Sequence, residues 1–192
     1  MTDETATALS DFVLSGGTFL LALTVKSKRA QKTWQALLGA LALASALGAI
    51  YHGPVRFHTG EFWVLVSASS VASGFLFLAV CGCITKPDWK WVGWLWPLCA
   101  LAGVLVGAMI SRYPFYFISI INSICILVGA MILRDAPIPK ARSWIYMGIL
   151  CTFVGFLAQR FTTGTGFFNH NALFHWFQLG ANFMFWRGAK HT

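Results

Sequence analysis

The chain has 192 residues, 57% of them hydrophobic and only 10% charged, with 17 Phe, 9 Trp and 4 Tyr and a mean hydropathy of +0.68. A soluble domain carries about 25% charged residues, so this chain has too little polar surface to face water and its solvent is lipid. The net charge of +8 is not gathered into a basic stripe interleaved with aromatics, and no nucleic-acid motif is present, so no nucleic-acid partner is expected.

Seven apolar runs follow one another at about 7–25, 33–51, 62–84, 91–110, 115–133, 143–158 and 171–186, each near the roughly 20 residues that cross a bilayer as helix. The predicted fold class is all-α. One seven-transmembrane-helix bundle fills residues 1–192, as an integral multi-pass protein of a cell (plasma or inner) membrane. The first run follows Asp3 and Glu4 instead of a basic leader and reads as a retained span. The second ends on His52. The third opens on Glu61 and carries Ser67, Ser69, Ser70 and Ser73, small residues suited to close helix packing, as are Gly103 and Gly107 in the fourth. Continuous runs such as Leu98 to Ile110 lack the alternation of barrel strands. Short connections such as residues 111–114 and 135–139 predict that consecutive helices are antiparallel neighbours. Cys81, Cys83, Cys99, Cys125 and Cys151 all lie in apolar runs without a Cys-x-x-Cys pair and read as reduced packing residues.

Orientation follows from the basic residues. Eleven (Lys26, Lys28, Arg29, Lys32, Lys86, Lys90, Arg134, Lys140, Arg142, Arg187 and Lys190) fall on one side, and three (Arg56, Arg112 and Arg160) on the other. The positive-inside rule then puts the N-terminus outside and the C-terminus in the cytoplasm. Trp34, Trp89, Trp91, Trp144 and Trp186 sit near the cytoplasmic ends and read as an interfacial belt.

In that topology four of the five histidines share the outer side: His52, His58, His170 and His175, with Glu61 and Asp11 at the same level. Ionisable groups at membrane depth are expensive and turn inward to a cavity or a use. Asn171, His175, Gln178 and Asn182 recur at spacings of four, three and four, which puts them on one face of the last helix. Such a stripe either bonds to other helices or lines a wet substrate cavity. Ser45, Gly48 and His52 share a face of span two, and Thr152, Gly155 and Gln159 one of span six.

Imidazole is the commonest metal ligand, and a catalytic zinc takes three protein ligands and a water. His52, His170 and His175 supply three. On a regular helix, however, His170 and His175 stand about 140° apart, so both reach one ion only if His170 precedes the helix, with Asn171 as the N-cap.

These features resemble the CREST superfamily, which includes alkaline ceramidases, adiponectin-receptor and haemolysin-III-type proteins and bacterial ceramidase-like proteins. The match rests on an outside N-terminus, His52 ending span two, the carboxylate of Glu61 opening span three, and the segment Asn169-His170-Asn171-Ala172-Leu173-Phe174-His175 opening span seven. This chain departs from the family pattern in having Gly48 where a serine is usual, Glu61 for an aspartate and Asn171 for a histidine. The resemblance implies a membrane-embedded zinc site at which a metal-bound water attacks the amide of a membrane lipid, with His52 and His175 as ligands and His170 as a third. In that chemistry Glu61, or Asp11 if it leans inward, moves the proton, and Ser45 donates to the developing oxyanion. The residues also fit a proton-coupled transporter or pH-sensing seven-span protein that uses the same histidines without metal. A seven-span receptor or structural subunit is the third class; a retinal protein is disfavoured because no lysine lies within span seven.

Overall fold

A computed structural model describes residues 2–28, 30–53, 60–86, 96–111 and 115–192, without the side chains of Glu61, Trp96, Phe115, Tyr116 and Phe167. Among the described residues the chain forms seven α-helices: α1 (Asp3–Thr24), α2 (Gln31–Tyr51), α3 (Gly60–Thr85), α4 (Trp96–Ile110), α5 (Phe115–Leu133), α6 (Pro139–Phe161) and α7 (His170–Ala189), the last preceded by a 3-10 turn at Gly166–Phe168. Their ends have local causes. The Thr2 hydroxyl accepts from the Thr5 amide at 3.2 Å, and Asp3 and Glu4 complement the positive end of α1. Pro139 starts α6, where its missing N–H costs nothing.

Four helices, α1, α2, α3 and α6, are long and apolar enough to cross a membrane, which marks a membrane protein. The outward surface agrees: Leu20, Met131, Leu150 and Phe161 are 62%, 74%, 65% and 76% exposed, far more apolar area than a soluble protein leaves bare. The 20-residue α7 is long enough, but its polar face lowers its hydropathy.

The helices α6, α7, α1, α2, α3 and α5 pack in that order, and α5 touches α6 to close the ring. α4 lies outside it, against α3. This corrects the expectation that every consecutive pair packs together, because α4 and α5, and α5 and α6, barely meet. The reason is the pair of glycines in α4: Gly103 and Gly107 bring its backbone onto Ala72 and Ala68 of α3, leaving α5 to dock separately where Gly129 meets Phe77.

One end of the ring, holding the α1–α2 and α5–α6 connections, is solid. Val25, Trp34, Leu38, Leu76, Val80, Ile84, Leu133 and Ile145 fill it, all nearly inaccessible. Trp34, expected in an interfacial belt, is fully buried in this core, because its helix face is the one that packs inward with Leu37 and Leu38. Trp144 and Trp186 are half-buried and carry cations: Arg187 sits 5.1 Å above the first ring and Lys190 Nζ 3.6 Å above the second. Trp89 and Trp91 lie outside the described residues. The other end of the ring is hollow.

Candidate functional site

The hollow is a cavity of about 500 Å³ walled by α1, α2, α3, α5, α6 and α7. Several residues of the expected site line it together: Asp11, Ser45, His52, Asn171, His175 and Gln178, with Gly48, Thr152 and Gln159. Aromatic rings cover much of the remaining wall.

Its chemical centre lies on the α1–α7 seam. Asp11 is 5% exposed, and its Oδ1 lies 3.3 Å from His175 Nε2. The other ring nitrogen, Nδ1, is 2.8 Å from the hydroxyl of buried Ser10, which is also 2.8 Å from the Thr7 carbonyl. The imidazole is thus held at both nitrogens by two adjacent residues of α1. On the far side the Asp11 carboxyl rests on Gly48, where an added Cβ would stand 3.1 Å from Oδ2. His52, the C-cap of α2, follows four residues after Gly48 and lines the same cavity.

Proton bookkeeping limits this network to a few states. The Thr7 carbonyl only accepts, and the Ser10 hydroxyl has one hydrogen to give. When Ser10 donates to Thr7, it accepts from His175 Nδ1–H, and the Nε2 contact then needs either an imidazolium or a protonated Asp11. When Ser10 donates to Nδ1, Nε2–H donates to an ionised Asp11. Gain or loss of one proton therefore couples to a hydroxyl rotation at the cavity wall.

The rest of the α7 stripe divides in two. The Asn171 side-chain oxygen Oδ1 accepts from Gln159 Nε2 at 2.9 Å, at the cavity wall. Asn182 is buried glue, donating to Thr18 Oγ1 at 2.9 Å and accepting from Gln178 Nε2 at 3.1 Å. Of the serines in α3, Ser67, Ser69 and Ser73 donate to carbonyls of their own helix, as packing residues do. Ser45 Oγ likewise donates to the Leu41 carbonyl at 3.1 Å.

His170 is not brought to the others. The N-cap of α7 is Asn169, whose side chain accepts from the Ala172 amide at 2.8 Å, and not Asn171. Asn169 wins because its side chain also reaches back to the Asp3 and Gly166 carbonyls, tying the turn to α1. His170 is therefore the first helical residue, exposed and turned away from the His175 face. Glu61 stands in the first turn of α3, but its side chain, like all of His58, lies outside the described residues. Among the described residues no three His, Cys, Asp or Glu side chains stand close enough to hold a metal ion. With both nitrogens of His175 engaged, the described side chains do not fit a three-histidine zinc centre.

Of the partner stripe on α1, the sequence pointed to Asp11 but not to Thr7, Ser10 or Thr18. Thr7, Ser10, Asp11 and Thr18 share one buried face of α1, and Thr7 Oγ1 adds a bond to Asn169 at 3.3 Å. Their spacing of three, one and seven is the helical signal that marks this face.

A family of unknown function (DUF6962) matches residues 6–192, which takes in the whole cavity. The chain belongs to that family. No curated protein and no solved structure matches it. Membership of DUF6962 thus assigns no chemistry.

Proposed function

We propose that this DUF6962 protein is a seven-span membrane protein, N-terminus outside and C-terminus in the cytoplasm, that works without a metal as a proton-coupled transporter. The eleven-to-three split of basic residues supports the orientation. The reading rests on one observation: a carboxyl and an imidazole share a proton position, Asp11 Oδ1 to His175 Nε2 at 3.3 Å, on the wall of a cavity large enough for a small molecule. Asp, Glu and His side chains within a membrane form the proton relays of pumps and transporters. The second imidazole, His52, faces the same space.

The test is proton uptake by purified protein in nanodiscs between about pH 5 and 9. Wild type is expected to take up one proton more than Asp11→Asn over that range. Identical curves for the two proteins would remove Asp11 as the proton site.

A second reading has its own observation. Asp11, Ser45, His52 and His175 line one cavity, as the CREST resemblance requires of a zinc-dependent lipid amide hydrolase. It needs His52 and His175 to turn towards a shared ion, which the present hydrogen bonds of His175 oppose.

A further inference from the structure

The cavity wall has a composition that the proton pair does not explain. Among the described residues that line it, Asp11 is the one carboxyl, and no lysine or arginine is present. Six lining residues are aromatic: Tyr51, Trp63, Phe77, Phe156, Phe174 and Phe185. Four of these rings form two contacting pairs, one beginning three residues after Gly48 and the other beside His175. Tyr51 is three residues after Gly48, on which the carboxyl rests, and packs on Trp63 at 5.3 Å between centroids. Phe174 lies 5.8 Å from the His175 ring and stacks on Phe156 at 5.1 Å. Ring faces carry negative potential, so aromatic walls around a carboxyl attract a desolvated cation and repel an anion. Beside Asp11 stands His175, and among the described residues that line the cavity no lysine or arginine neutralises it. The volume of about 500 Å³ falls in the range that takes a drug-sized molecule, well beyond a metal ion.

The geometry points to a lipophilic organic cation as the ligand: an amine, quaternary ammonium or phosphonium centre seated between Asp11 and the Tyr51, Trp63, Phe156 and Phe174 rings, with its apolar groups in the chamber. This names the substrate class for the transporter reading and rests on it for transport, though not for binding. Gln159 donates to Asn171 and Gln178 to Asn182, so the amides of the wall are held in part by bonds on α6 and α7.

The test uses tetraphenylphosphonium and its anionic counterpart of the same shape, tetraphenylborate, in equilibrium dialysis against the protein in zwitterionic nanodiscs, with empty nanodiscs subtracted. Saturable binding of the cation at one site per chain is expected, with no saturable binding of the anion. Asp11→Asn is expected to weaken it by about tenfold or more, the scale of one opposite charge a few ångströms away, and Trp63→Leu by about threefold or more. Asp11→Glu keeps the charge and is expected to bind within about threefold of wild type, which separates loss of charge from loss of fold. Equal binding of anion and cation, or undiminished binding by Asp11→Asn in a protein of unchanged melting temperature, would overturn the inference. The two readings fail separately: proton uptake lost in Asp11→Asn without cation binding leaves the proton site standing, and cation binding without altered proton uptake leaves the ligand class standing.

Discussion

Asp11 Oδ1 and His175 Nε2 meet at 3.3 Å across the seam of the first and last helices, both nearly enclosed by protein. A buried pair of this kind couples its members, because removing one leaves the other desolvated and unmatched. Asp11→Ala and His175→Ala are therefore expected to be non-additive, the double variant recovering about 0.5–3 kcal/mol of the summed losses. Unfolding in mixed micelles with increasing denaturing detergent measures the cycle; strict additivity would mean that the contact carries no energy.

Gly48 is the floor beneath that carboxyl. A Cβ there would lie 3.1 Å from Asp11 Oδ2 and 3.4 Å from Cγ, so alanine asks the carboxyl to give way by a few tenths of an ångström and a branched side chain asks for more. Gly48→Val is expected to cost about 1–3 kcal/mol and to push Asp11 off His175, whereas Gly48→Ala costs less. Histidine ¹⁵N shifts report the second effect: the His175 signals should move in the valine variant and not in a control such as Gly39→Ala, where nothing lies within 4 Å of an added Cβ. The same contact gives a physical reason for glycine at position 48, since the space beside it is taken by a carboxyl from α1.

Much of this architecture was legible beforehand because long apolar runs announce helices by their length. All seven helices lie within a few residues of the apolar runs, apart from the start of α4, which is described only from Trp96. The α7 stripe was legible too, as the period of Asn171, His175, Gln178 and Asn182 puts four polar side chains on one helix face. What one chain does not display is which stripe it meets. Ser10 and Thr18 look like ordinary small residues of an apolar run until α7 is laid against them, and only the fold pairs them with His175 and Asn182. Likewise the N-cap was misread by two residues because Asn169 and Asn171 have equal intrinsic merit, and the choice depended on Asp3, 166 residues away in the chain.

Zinc analysis separates the two functional readings. In protein purified without a histidine tag, zinc well below one per chain is expected, with no difference between wild type and the His52→Ala, His175→Ala double variant. Stoichiometric zinc in the wild type that disappears in the double variant would return the hydrolase reading to first place, since a catalytic zinc requires its ligands' lone pairs free of other partners.

Asn182 and Gln178 sit one turn apart on α7 but have different work. Asn182, 1% exposed, donates to Thr18 Oγ1 at 2.9 Å and joins α7 to α1 below the cavity. Hydrogen bonds between membrane helices contribute about 0.6–2 kcal/mol, so Asn182→Ala should lower stability by that amount and couple to Thr18→Ala. Gln178 lines the cavity and only buttresses Asn182. Gln178→Ala should therefore change stability little and alter tetraphenylphosphonium binding more than Asn182→Ala does. If instead both variants lost stability equally and bound the cation alike, Gln178 and Asn182 would form a single structural seam.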